Sequence, residues 1–206
     1  MEHYDKQLPE IPASDSLDRT GLEARLKSAQ PFEAGAPNQM ADTPLHAQGD
    51  QPDCLLQSAR MAEHRQTGID PGLDAYKHPA TEQGLYDPRG GTDLTGFVEV
   101  INDRPGVQAE LQYADGPQNI KDALDQGDSV IAGVDAYEYY KGQYNFEPNS
   151  GGHAIVVTGA DQAPAGDWQF TVNDPNFETP NQPVSGDKFL RAWDVADRPM
   201  ITMRAK

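Results

Sequence analysis

The chain predicts an α+β fold. Helical periodicity dominates its first half and strand-like alternation its second, an order that separates the two kinds of element instead of interleaving them. Leu55, Leu56, Ala59 and Ala62, then Leu94, Phe97, Val98 and Ile101, repeat at the spacing of one helix face. From Ser129 onward, β-branched runs follow one another at 129–134, 153–159 and 168–174 without a helix after each strand. That pattern suits antiparallel strands better than a parallel sheet.

Residues 1–44 are poor in large apolar side chains and rich in Pro, Ala, Gln and Asp. They read as an extended or flexible N-terminal segment, with one short helix at Gly21–Ala29. The domain proper is expected from residue 45 to 206. Within it, Asp53 is the natural N-cap of a helix running to about Arg65. Pro71, Pro79, Pro88, Gly90 and Gly91 make 69–91 mostly loop. Thr92 or Asp93 opens the Leu94–Ile101 helix, which Asn102 and Pro105 end. Val107, Ala109, Leu111 and Tyr113 alternate as a strand, and Pro117–Gln126 is a short helix with Pro in its first turn and Gly127 beyond its end. The aromatic crowd of Tyr137, Tyr139, Tyr140, Tyr144 and Phe146 reads as loop packing. A helix near 186–194, with Phe189, Leu190 and Trp193 inward, and a strand at 200–203 complete the chain. There are no internal repeats.

Composition removes several function classes. Among 206 residues, 16 Lys and Arg stand against 33 Asp and Glu, a net charge of −17. Phosphate backbones and anionic membranes repel such a chain, so neither nucleic acid nor a membrane surface is an expected partner. No stretch approaches the roughly 20 apolar residues of a span, and the first residues lack the apolar core of a secretory signal. A soluble, cytoplasmic protein is the default expectation, with signal-independent secretion left open. One cysteine cannot close an internal disulfide. No Cys/His run has zinc spacing, since Glu63-His64 lacks the second histidine of a helical metalloprotease motif; no metal or cofactor is expected. The absence of G-x-S-x-G disfavours a serine hydrolase.

Chemistry concentrates in Gln48-Gly-Asp-Gln-Pro-Asp53-Cys54, Gly151-Gly-His153-Ala-Ile-Val-Val and Phe170-Thr-Val-Asn-Asp174-Pro. The thiolate is the reactive form of cysteine, and a helix's first turn stabilises it through unpaired N–H groups and the positive end of the dipole. Asp53 opposes that effect, so a nearby cation is required, and an imidazolium supplies it. Of five histidines, His3 lies in the tail, and His46 and His78 fall in loops. His64 is ten residues along the cysteine's own helix, about 15 Å away. His153 alone opens an apolar strand able to hold it. If strands 153–159 and 168–174 form a hairpin centred at Ala163 and Pro164, Ile155 faces Val172, Val157 faces Phe170 and His153 faces Asp174. Directly opposed side chains lie about 5 Å apart at Cβ, within hydrogen-bonding reach. Asp174 would orient the ring, with Asn173 in reserve on the other face. For an oxyanion, the Cys54 N–H is one donor and the Gln48 amide, six residues upstream, the other; Gln51 competes. Each residue alone has an ordinary structural reading. Order, spacing and register together favour a catalytic set of Cys54, His153, Asp174 and Gln48.

That order resembles the papain-like clan of cysteine peptidases. Gln-x5-Cys preceded by Asp, Gly-His leading an apolar strand, and a strand ending in Asp-Pro are most similar to the bacteriocin leader-processing peptidase-like family, over residues 45–203. The resemblance implies a papain-like fold, with a helical half bearing the cysteine and an antiparallel sheet half bearing histidine and aspartate. It also implies peptide-bond hydrolysis without a cofactor, on a peptide or protein substrate. Leu55 departs from the glycine that often follows the family's cysteine, and a stand-alone bacterial enzyme without a fused transporter is expected. Two other functions share these residues. One is thioester chemistry on side-chain amides, as in a deamidase or transglutaminase-type effector toxin. The other is a catalytically silent papain-like module that binds partners.

Overall fold

The computed structural model describes residues 37–141, 148 and 151–206. The chain divides into two compact units, Met1–Pro31 and Phe32–Lys206, and every described residue belongs to the second. The Gly21–Ala29 helix, Tyr144 and Phe146 lie outside the described residues.

Helix α1 spans Cys54–Thr67. Asp53 occupies its N-cap position but its side chain makes no capping bond, contrary to the expectation. Its carboxylate instead receives Lys77 Nζ at 2.9 and 3.2 Å. Gly68 closes the helix in the left-handed region at φ +71°, its N–H bonding back to the His64 carbonyl, a conformation that costs glycine little. Leu55, Leu56, Ala59, Met61 and Ala62 are buried in one core with Ile131, Ala154, Val156, Ile201 and Met203 of the sheet. Each large side chain so buried contributes about 1.5–3 kcal/mol.

The expectation of loop through 69–91 is corrected by helix α2, Asp74–Glu82, and a small hairpin pairing β1, Tyr86–Asp87, with β2, Gly91–Thr92. Pro79 lies inside α2 and forfeits one helical hydrogen bond, a penalty of about 3 kcal/mol. Tertiary contacts offset it. Tyr76 is fully buried beside Phe97 and donates its hydroxyl to Glu63, whose carboxylate also receives Nε and Nη2 of Arg104. No local pattern reports such partners. Helix α3, Leu94–Asn102, is capped by the Asp93 carboxylate, which accepts from the N–H of Thr95 and Gly96.

Strands β3 (Val107–Tyr113), β4 (Ser129–Asp135), β5 (Gly152–Gln162), β6 (Trp168–Asn173), β7 (Gln182–Ser185) and β8 (Pro199–Ala205) form one antiparallel sheet, ordered β3-β8-β4-β5-β6-β7. Helix α4, Pro117–Asp125, joins β3 to β4; α5, Ala136–Tyr140, follows β4; and α6, Gly186–Val195, precedes β8. Side chains alternate across the sheet. Ala154 and Val156 join the core beneath α1. On strand β5, His153, Ile155 and Val157 therefore take the opposite face. The rings of Phe170 and Phe189 stack at 4.1 Å, carrying α6 onto β6.

The β5–β6 register differs from the expected one. The connecting loop is 163–167, closed by Ala163 N–H to Asp167 O and Gly166 N–H to Ala163 O. A bulge between Val157 and Gly159 then shifts the ladder, leaving Val157 opposite Val172 and Val156 opposite Asn173. Near the site the slip is two residues. An even slip keeps every side chain on its face, so His153 and Asp174 still share one. They meet diagonally: the ladder's continuation sets Asp174 opposite Ile155, two residues from His153.

Residues 37–44 dock on this hairpin. At the bulge, Thr158 O accepts from Met40 N–H. The Gln39 amide bonds both N–H and C=O of Ala160, and Asn173 donates to Thr43 O. A Cβ on Gly159 would come within 2.0 Å of Pro37 O, so this close approach requires glycine. Among the described residues, no helix is long and apolar enough to cross a membrane.

Candidate active site

Cys54 is the first residue of α1, and its thiol meets the N–H groups of Leu55 and Ala154 and the ring of His153. Helix start and strand start are tied again by Ser58 Oγ, which donates to Ala154 O at 3.1 Å. His153, the second residue of β5, is 6 % exposed. Its Nε2 lies 2.8 Å from Asp174 Oδ1, which leaves Nδ1 for the thiol. Asp174 is fully buried, and its Oδ1 also accepts the Asn176 N–H at 2.9 Å. One hydrogen-bonded chain therefore joins the thiol, the imidazole and the carboxylate.

Electrostatics follow from those contacts. Burial opposes the charge on His153, but the Asp174 carboxylate and the adjacent Cys54 outweigh it and hold the ring's pKa up at about 10. Burial also opposes a thiolate at Cys54. Hydrogen bonding and charge from His153, with the two backbone N–H groups, overcome it and bring the thiol below its ordinary value. Both directions favour a thiolate–imidazolium pair.

Residues 42–199 match the model of the Peptidase_C39-like family. The chain belongs to that family. A crystal structure from Bacillus anthracis, provisionally named a C39-like peptidase, resembles it with a TM-score of 0.60 at 15 % identity, over 84 % of this chain and 100 % of that one. At such identity the likeness shows the fold, which is α+β and papain-like. No curated protein sequence matches the chain. Family and fold together support a cysteine peptidase, and a peptidase family implies a protein substrate.

Gln48 of this C39-like chain precedes α1 and donates its backbone N–H to Pro175 O at 2.8 Å, hooking its loop onto the residue after Asp174. Its side-chain Nε2 donates to the Gln51 backbone carbonyl at 2.9 Å. One amide hydrogen remains for a further acceptor. Gln51, the competing candidate, thus touches Gln48 through its carbonyl. Asn173 faces away, bonded to Thr43 O and to the Asn181 N–H. The negative charge of Asp53, only 1 % exposed beside the cysteine, is paired with Lys77.

The sequence reading missed Tyr140. It belongs to α5, where loop packing was expected, and its hydroxyl donates to Asp174 Oδ2 at 2.6 Å. The Tyr140 hydroxyl oxygen also lies 2.8 Å from His153 Nε2 and accepts from Asn176 Nδ2 at 2.8 Å. Asp135, at the N-cap of α5, accepts the Glu138 N–H and so fixes where Tyr140 falls. Asp135 three residues before Glu138 was the available signal, a capping pattern inside an aromatic run.

Proposed function

We propose that this protein is a thiol-dependent peptide-bond hydrolase acting through a Cys54–His153–Asp174 triad and a thioester acyl-enzyme. The supporting observation is the unbroken chain from the Cys54 thiol through His153 to the buried Asp174, set at the first turn of a helix. Sγ attacks the peptide carbonyl carbon, and the electron pair moves onto the carbonyl oxygen. The Cys54 N–H and the free amide hydrogen of Gln48 receive that oxyanion. As the tetrahedral intermediate collapses, the imidazolium gives its proton to the leaving amine and the thioester remains. His153 then takes a proton from water, whose oxygen attacks the thioester. A second tetrahedral intermediate releases the acid and restores the thiolate.

Asp174 keeps the ring oriented and favours its charged form. Tyr140 and Asn176 hold Asp174 in turn, so they are positioning residues. Lys77 cancels the Asp53 charge that would otherwise oppose the thiolate. Residues 45–206 make up the peptidase domain in this reading, and 1–44 precede it.

The test is labelling by a peptide epoxide or aldehyde probe, mapped by mass spectrometry, together with cleavage of a peptide library. A covalent adduct on Cys54 and new amino termini, both absent in Cys54→Ala, are expected. Ammonia release without new termini would assign the same thioester chemistry to side-chain amides. Neither labelling nor turnover would leave the silent-module reading.

A further inference from the structure

Away from Cys54, the fold assembles a second cluster of ligand-type side chains that no stretch of the sequence announces. His46 comes from the segment leading to Gln48, His64 from the last turn of α1, and Asp70 from the turn beyond Gly68. Their donor atoms all lie within 4.8 Å of one another. His46 Nε2 is 3.2 Å from His64 Nδ1 and 3.9 Å from Asp70 Oδ1. The two rings lie in nearly parallel planes, 15° apart, with their nitrogens facing and their centroids 5.4 Å apart. Zinc–nitrogen bonds of about 2.0–2.1 Å at a tetrahedral angle place two nitrogens about 3.3–3.4 Å apart. The imidazole nitrogens, 3.2 Å apart, stand just inside that separation. A cation between them would take the place of this nitrogen-to-nitrogen contact.

We propose that His46 Nε2, His64 Nδ1 and the Asp70 carboxylate form a binding site for one divalent transition-metal ion of the zinc class. Two imidazoles and one carboxylate suit zinc, copper or nickel and disfavour magnesium or calcium. His46 carries its proton on Nδ1 when bound, and His64 on Nε2. Both histidines are partly exposed and Asp70 is exposed, so water can fill the remaining coordination position and the ion can enter. Bound metal pins the segment leading to Gln48 against the end of α1. This departs from the sequence expectation of no metal, because 18 residues separate His46 from His64 and no local motif joins them.

Arg60 is the site's built-in competitor. Its Nε and Nη2 hold both Asp70 oxygens at 2.7 and 2.6 Å, and the Gly72 N–H also bonds Oδ1. Oδ1, the oxygen 3.9 Å from His46 Nε2, thus already accepts two hydrogen bonds, and a cation has to displace one of them. A cation entering beside a guanidinium is repelled, so affinity in the native chain is lower than the ligand set alone would give.

Zinc titration by calorimetry, on the full chain carrying Cys54→Ala to remove the thiol as a ligand, tests the proposal. One saturable ion per chain is expected, weakened at least tenfold by His46→Ala and by His64→Ala. Arg60→Gln should tighten it at least threefold. His78→Ala, in the exposed pair with Glu82, should leave it unchanged. Zinc should raise the melting temperature only where both histidines are present. Should either alanine variant misfold by circular dichroism, His46→Gln and His64→Gln take its place. No saturable binding, binding indifferent to the His64 variants, loss in His78→Ala, or weakening by Arg60→Gln would each overturn it.

Discussion

Two histidine–carboxylate clusters flank helix α1, one at its first residue and one at its last turn, and their chemistry differs because their carboxylates have different partners. At the start, His153 and Asp174 are 2.8 Å apart and almost fully buried, and the carboxylate drives the ring's pKa up to about 10. At the end, burial and the Arg60 charge outweigh the attraction of Asp70 and lower the pKa of His46. The Asp70 carboxylate turns to Arg60 there, and His46 Nε2 stands 3.9 Å from it. The same residue types thus push one ring toward its charged form and the other toward its neutral form. What separates them is whether the carboxylate has a better partner.

The sharpest break in that contrast is Cys54→Ala. Without the nucleophile, kcat should fall by several orders of magnitude, roughly 10⁶-fold if the triad acts as one unit. Circular dichroism and denaturation should show an intact fold. Undiminished turnover would end the thiol mechanism.

Next is Asp174→Asn, expected to lower kcat by roughly 10²- to 10⁴-fold. In the proposed mechanism His153 must stay protonated for the ion pair, and its raised pKa, about 10, should place the wild type's basic limb near that pH. Removing the carboxylate charge lowers the ring's pKa, so the basic limb of kcat/KM against pH must move down. A basic limb that stays in place would show that Asp174 does not set it.

Gln48→Ala should reduce kcat by roughly 10²- to 10³-fold with little change in KM, as for loss of one oxyanion donor. Gln51→Ala should cost far less, because Gln51 meets Gln48 through its backbone carbonyl, which alanine retains. Parallel kinetics of the two variants decide the assignment.

Smaller still is Tyr140→Phe. It leaves Asp174 Oδ2 without its donor, a loss of about 1–3 kcal/mol in stability for a buried group. Urea denaturation should show it, alongside a reduction in kcat smaller than that of Asp174→Asn. The smallest effect belongs to the other cluster: Asp70→Asn, at an exposed pair, should cost about 0–1 kcal/mol by the same measurement. Equal costs at Tyr140 and Asp70 would erase the distinction drawn between the clusters.

Legibility from sequence followed the range of each interaction. Helix α3 was readable because its four apolar residues and its Asp93 cap lie within nine positions, and β4 because its run is continuous. Helix α2 was unreadable because the contacts holding Tyr76 come from Glu63 and Arg104 on other elements, while Pro79 argued locally against any helix. Local propensity favours Asp53 as a cap, but Lys77, 24 residues on, takes its carboxylate. Tyr140 looked like one more packing aromatic until its hydroxyl was placed against Asp174.

By itself, the sequence determined the α+β class, the order of most elements and the shared face of His153 and Asp174. Those rest on periodicity and parity, and parity survives a two-residue slip. Only the tertiary structure decided the diagonal meeting of the two side chains, the partner that neutralises Asp53, the clamp from Tyr140 and Asn176, and the approach of His46 to His64. Each of these is a contact between distant residues, made because buried polar groups must find partners wherever the packing brings them.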